Sequence, residues 1–434
     1  MQVRTCLPIC VLALTGFAGS ARAQSGLGPA DKPYPGLFGN GGRTALDLSL
    51  ITYSGYDHAD LRSTSPDITT DGDYLGGTAG LNLVRPIGRY TVHAYGSTDF
   101  RYYMHNGVLS GLTAKTSAAG TSIGRPLGEH GTLHVTQGVS TASFYQFDPF
   151  SGYAIQSTVD LALPTSDYRI ARGQTYSYDM SAGTDWRIGR HDLLTLDYDF
   201  RYWSFPGERL NLLTSNSGFH VHHGVTRTVS AVFGYGYERG TAAQEARPAQ
   251  YQRIDVGLEY NAHPFDRHTT VSGSAGPTIV AIRNLITGSV VNVPELLVTT
   301  SLRHEFSRSW SLGLNYRREP LIIELYANPI YSDSVFFTLA GSPKRRVSLA
   351  LSGGYTRSTQ DAGRGSPGNE TYFGSARTSW VLRRALATHV EYAYYGFHTA
   401  PNQVLPLTVS QIGRQSVRVG LDWALPLLKP GARP

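Results

Sequence analysis

From residue 45 onward the chain alternates apolar and polar residues with a period of two, and it keeps doing so almost to its end. In 192–203, Leu194, Leu196, Tyr198, Phe200 and Tyr202 fall on one face, while Thr195, Asp197, Asp199, Arg201 and Trp203 fall on the other. Tyr90, Val92, Ala94, Phe100 and Tyr102 oppose Thr91, His93, Asp99 and Arg101 in the same way. Near the end, Val417, Val419, Leu421, Trp423 and Leu425 oppose Arg418 and Asp422. A period of two is the signature of a β-strand with chemically distinct faces.

Segment length separates the two classes that alternate. Strands of soluble sandwiches run ~5–6 residues, whereas these run about 10–15, the length that crosses a bilayer at a tilt. Tyr and Trp recur near segment ends (Tyr53, Tyr102, Tyr103, Trp186, Tyr202, Trp203, Trp310, Tyr372, Trp423), where aromatic girdles at the lipid–water interfaces would place them. Connections alternate between short turns rich in Gly, Pro and Arg, such as Arg85-Pro86-Ile87-Gly88-Arg89 and Pro343-Lys344-Arg345-Arg346, and longer ones such as 57–72 and 147–174. The pattern predicts an all-β fold: a closed antiparallel transmembrane barrel of about 18 strands over 45–426, with short periplasmic turns and long outer loops. The weakest segments, 215–223 and 334–342, make 16 the rival count. An even count returns both ends of the barrel to the short-turn rim.

The N-terminus sets the compartment. Arg4, the apolar run Leu7 to Ala18, and the A-x-A site Ala21-Arg22-Ala23 have the order of a secretory signal peptide over 1–23, with Gln24 as the mature start. The apolar run is about a dozen residues, short of the ~20 a spanning helix needs. Residues 24–44, punctuated by Gly and Pro, are expected to form a flexible periplasmic arm, too short for the plug of a gated transporter; 427–434 is expected as a tail.

Composition agrees with a membrane barrel. Charged residues make up only 16%, Gly numbers 48 and Tyr 27, and the mean hydropathy is −0.22. Both cysteines, Cys6 and Cys10, lie in the signal peptide, so the mature chain has no disulfide, thiolate metal site or cysteine nucleophile. The formal charge of +6 is spread along the strands and is no footprint for nucleic acid.

The hairpin phrase His304-Glu305-Phe306-Ser307-Arg308-Ser309-Trp310-Ser311-Leu312 and the closing Val417-Arg418-Val419-Gly420-Leu421-Asp422-Trp423 resemble the poorly characterised bacterial outer-membrane β-barrel porins, over nearly the whole mature chain. Some members of that group are associated with exopolysaccharide secretion. The resemblance implies outer-membrane lipid and the barrel insertion machinery as partners. It departs in one respect: many such barrels end on an aromatic residue, whereas this chain continues through Pro426 to Pro434.

Charged residues on the polar faces are the candidate pore lining: Asp99, Arg101, Asp197, Asp199, Arg201, Asp255, Glu259, Arg303, Arg317, Glu391, Arg418 and Asp422. An Arg or Lys turned to lipid would cost about 2–4 kcal/mol at the midplane, so the lumen is where such residues belong. Barrels of 16–18 strands leave an aqueous channel, whereas eight-stranded ones fill with side chains. The segment 147–174 exceeds the usual length of a structureless loop and, folded inward, would set Asp160, Asp167, Arg169 and Arg172 across the lumen as a constriction.

Catalytic and metal chemistry find weaker footing. His191 with Asp192, His263 near Asp266, and His389 with Glu391 are the acid–base pairs available, and polar pore or turn groups account for all of them. His220 and His222 share a strand face that His223 does not, so at most two ligands converge where a tight metal site wants three or four. The expectation is a porin-like channel for small hydrophilic solutes, with no enzyme activity and no cofactor; the polysaccharide conduit is what the resemblance implies. A barrel hydrolase and an adhesion barrel with binding loops are the alternatives.

Overall fold

The computed structural model describes residues 45–63, 68–105, 113–146, 167–205, 210–242, 249–262, 269–283, 290–307, 309–321, 330–359, 369–399 and 409–428. They form eighteen strands. The first nine are β1 (Ala45–Ser63), β2 (Ile68–Ile87), β3 (Tyr90–His105), β4 (Thr113–Leu127), β5 (Gly131–Gln146), β6 (Asp167–Arg187), β7 (Asp192–Phe205), β8 (Leu210–Gly224) and β9 (Val229–Ala242). The rest are β10 (Ala249–Ala262), β11 (Thr269–Arg283), β12 (Val290–Ser307), β13 (Trp310–Leu321), β14 (Ile330–Lys344), β15 (Val347–Thr359), β16 (Asn369–Arg383), β17 (Leu386–Thr399) and β18 (Val409–Leu428). Each strand pairs antiparallel with the next, and β1 pairs with β18, so the sheet is a closed 18-stranded barrel with no free edge. The weak segments 215–223 and 334–342 are the full strands β8 and β14, which settles the count at 18.

The apolar half of the alternation faces out. Leu50, Leu81, Phe100, Val139, Leu196, Val256, Leu314, Val390 and Val419 are exposed, each on a strand whose neighbouring positions turn into the barrel. On a sheet closed into a ring with no free edge, this belt is the surface a hydrocarbon core requires. Short turns join the strands at one rim. Ile87 pairs with Tyr90 across the two residues Gly88-Arg89, and Gly88 takes φ +60°, as a tight primed turn demands. Gly128, in the turn after β4, does the same at φ +66°.

The strands overrun their expected ends at the opposite rim. The long loop expected over 57–72 is mostly strand, because β1 continues to Ser63 and β2 starts at Ile68, with pairing kept from Asp57↔Gly72 to Leu61↔Ile68. At the short-turn rim, β18 runs on to Leu428 rather than 426. Above and below the bilayer both faces of a strand meet water, so pairing persists where alternation fades.

Candidate pore lining

Every pore-lining candidate has the inward parity, opposite the exposed apolar row of its strand. Asp99 and Arg101 lie inward between exposed Phe100 and Tyr102; Asp197 between exposed Leu196 and Tyr198; Asp255 between exposed Ile254 and Val256; Arg418 between exposed Val417 and Val419. The structure adds how they are paired, and they group into walls.

The densest wall spans the barrel's closure, from β16 through β18 and β1 to β3. Its register sets Arg377, Glu391, Arg418, Gly55, Tyr74 and Tyr103 in one row across neighbouring strands. Glu391 takes Arg418 on one oxygen and lies 3.7 Å from Arg377 Nη1 on the other. Arg377 Nη2 also donates to Asp422 Oδ2 at 3.0 Å, and His389 Nδ1 stands 2.8 Å from Asp422 Oδ1. One step along, Asp99 accepts from Tyr53, from Thr78 Oγ1 at 2.7 Å and from Arg101 Nε at 3.1 Å. Asp57 accepts from Arg414 Nη2 at 2.5 Å and from Tyr103 at 2.8 Å. Asp57, Asp99, Arg101, His389 and Asp422 are all buried, and a buried charge is tolerated only with such partners.

Aromatic rings fill the space between these charges. Tyr53 and Tyr74 meet edge to face at 6.0 Å, Arg418 lies 5.5 Å from the Tyr53 ring centre, and Arg101 lies 5.8 Å from that of Tyr74. Each of the two tyrosines lies over a glycine: Tyr53 faces Gly76 across the β1–β2 ladder, and Tyr74 faces Gly55. Tyr53, Tyr103 and Trp203 therefore do not belong to the aromatic girdles where the sequence placed them. They point inward and are buried, whereas Tyr102, Trp186 and Tyr372 are exposed on the outer face as a girdle requires. Parity decides it, since Tyr53 shares the face of Asp57, and Tyr103 that of Asp99 and Arg101.

Halfway round the ring, β6 to β10 form a wall richer in acid. Arg201 lies 4.0 Å from Asp179 and 6.0 Å from the Trp203 ring centre. His220 on β8 reaches Asp197 on β7 (3.6 Å) and, over Gly234 on β9, Asp255 on β10 (3.5 Å). Arg253 Nε is 2.8 Å from Asp255, and His222 Nδ1 is 2.8 Å from Glu259. Asp199 shares the same face. Between the walls, Arg303 pairs with Glu305 at 2.9 Å and Arg317 with Glu319.

The expected constriction needs revising. Asp167, Arg169 and Arg172 are not loop residues: β6 starts at Asp167, with Arg169 paired to Tyr145 and Asp167 to Gln146. The two flanking strands simply extend farther than their alternation does. Asp160 lies outside the described residues, as do His263 and Asp266. His191 sits in the turn before β7, and His223 pairs with Asp192 at that rim. His389 shares the inward face with Glu391, as expected, and its Nδ1 also stands 2.8 Å from Asp422 Oδ1. Among the described residues, no three His, Cys, Asp or Glu side chains converge as a metal centre requires. The sequence reading omitted Arg377 and Arg414, which the parity that found Arg418 and Glu391 would also have found, and Asp57, which reads as loop.

A closed 18-stranded antiparallel barrel with an apolar outer belt and a charged inner wall is a transmembrane barrel of the bacterial outer membrane. No family model and no curated protein matches the chain. Among solved structures it is similar to OccAB4 of Acinetobacter baumannii, at 10% identity over 88% of this chain and 99% of that one, with a TM-score of 0.40. It is also similar to OpdL of Pseudomonas aeruginosa (10% identity, 89% and 99% covered, TM-score 0.41). A third is the FrpB iron transporter of Neisseria meningitidis (8% identity, 88% and 81% covered, TM-score 0.43).

Proposed function

We propose that the protein is a porin-like channel passing small hydrophilic solutes, with a preference for cations. The observation that carries this reading is the inner wall, where charged and hydroxyl side chains alternate with lipid-facing apolar ones on strand after strand of a barrel wide enough to hold an aqueous path. The preference follows from the distribution of charge. On the closure wall, Asp57, Asp99, Glu391 and Asp422 are matched by Arg101, Arg377, Arg414 and Arg418. On the β6–β10 wall, Asp179, Asp197, Asp199, Asp255 and Glu259 outnumber Arg201 and Arg253, leaving an acidic excess toward the lumen.

The purified full chain in a planar bilayer tests this. Discrete ohmic conductance steps, with a reversal potential in a salt gradient on the cation side, are the expected result. Absence of conductance from correctly inserted protein sinks the reading. Export of a polysaccharide is the finer role suggested by the family resemblance, and the same bilayer tests it: an acidic or neutral oligosaccharide added on the short-turn side should interrupt the current from that side.

A further inference from the structure

Four of the short turns repeat one arrangement that the channel reading leaves unused. An outward-facing apolar residue at the strand end or just past it is followed two positions on by an arginine: Ile87 and Arg89, Ile188 and Arg190, Val225 and Arg227, Leu382 and Arg384. Phe306 and Arg308 repeat it in sequence, with Arg308 outside the described residues. The apolar members are exposed on the lipid side, from 49% at Ile87 and Leu382 to 60% at Val225 and 62% at Ile188. They extend the outward rows of Leu81, Trp186 and Trp380. Each arginine stands exposed in the turn one step beyond an outward-facing apolar residue of the belt, where the lipid headgroups begin.

Two further observations point the same way. Arg89, Arg190, Arg227 and Arg384 are exposed, and no ion pair among the described residues involves them. The turn Leu127-Gly128-Glu129, with an acid at the matching place, has Arg125 on the outward face two residues earlier, 4.9 Å from the ring centre of Tyr90. Successive turns lie two strands apart, about 10 Å along the rim, which leaves room for a separate lipid at each.

We infer that this ring of arginines binds the phosphate groups of anionic diacyl phospholipids in the leaflet on the short-turn side, fixing the depth and orientation of the barrel. Basic residues at a membrane surface attract anionic headgroups, and a planar guanidinium pairs with phosphate through two hydrogen bonds. The probe is phosphatidylglycerol. The full chain is reconstituted in phosphatidylcholine vesicles containing brominated phosphatidylglycerol or brominated phosphatidylcholine, and tryptophan quenching is compared. Trp186 and Trp380, exposed on the outward rows that lead to Arg190 and Arg384, report on this rim.

Wild-type protein should favour the anionic lipid by about fivefold, the factor for one basic residue near an anionic surface, and the preference should shrink in salt. The variant R89Q/R190Q/R227Q/R384Q should lose it, and the corresponding Arg→Lys variant should keep most of it. Should the fourfold Gln variant fail to insert, R190Q and R384Q singly should each lower the preference. Equal quenching by both lipids in the wild type, or a preference unchanged by the Gln substitutions, overturns the inference. So does arginine-dependent binding of soluble polyglutamate without any lipid preference, which would assign the ring to an acidic protein.

Discussion

Tyr53 and Gly76 face each other across β1 and β2, and the tyrosine ring occupies the space that a side chain at 76 would need. The missing Cβ lets the ring lie flat on the sheet, which brings its hydroxyl to Asp99. Gly76→Val should therefore displace the ring and leave a buried carboxylate with one donor fewer, at a cost of about 1–3 kcal/mol. Urea-dependent unfolding from liposomes checks this, and Gly77→Val, whose position is open enough to meet only a backbone oxygen at 3.4 Å, is the control that should cost less.

Adjacent residues on β7 should respond oppositely to the same change. Leu196 is exposed on the belt, and Asp197 lies inward beside His220. Leu196→Arg should destabilise the inserted barrel by about 2–4 kcal/mol. Asp197→Arg should insert and shift the reversal potential toward anions. Equal insertion of both would overturn the face assignment.

Glu391 joins two arginines in a buried site. Glu391→Leu should cost about 2–3 kcal/mol, less than the ~3–5 kcal/mol of a fully buried pair, because the part-buried Arg418 then loses its main counter-charge. Adding Arg418→Met should recover a large part of the loss, which a double-mutant cycle on thermal or urea unfolding would measure.

Asp197 and Asp255 carry much of the acidic excess around His220. The double variant D197N/D255N should lower the cation-to-anion permeability ratio while leaving the single-channel conductance within about twofold, since amide and carboxylate have nearly the same volume. An unchanged ratio would place the selective region elsewhere in the barrel.

These residues also show what was legible in the sequence. Alternation located every strand, including β8 and β14, because lipid on one side and water on the other impose it directly. It failed at the rims: Asp57-His58-Ala59-Asp60 reads as loop yet pairs with both β2 and β18, since water on both faces removes the contrast. Residue type misled where parity did not, as Tyr53 and Tyr102 are the same amino acid on opposite sides of the wall. Ion-pair partners such as Arg377 and Asp422, on β16 and β18, depend on strand register, which periodicity alone does not give.

The closure wall joins the two ends of the chain: Arg414 and Asp57 are separated by 357 residues and meet as a buried pair. Loop entropy makes such a contact slow to find, and until it forms, β1 presents a bare edge, with Asp57 and Tyr74 lacking their partners Arg414 and Ser416. The last strand thus works as a zip fastener whose teeth are salt bridges. A chain ending before residue 409 lacks Arg414, Arg418 and Asp422, so Asp57, Glu391 and Arg377 lose partners and the sheet stays an open ribbon.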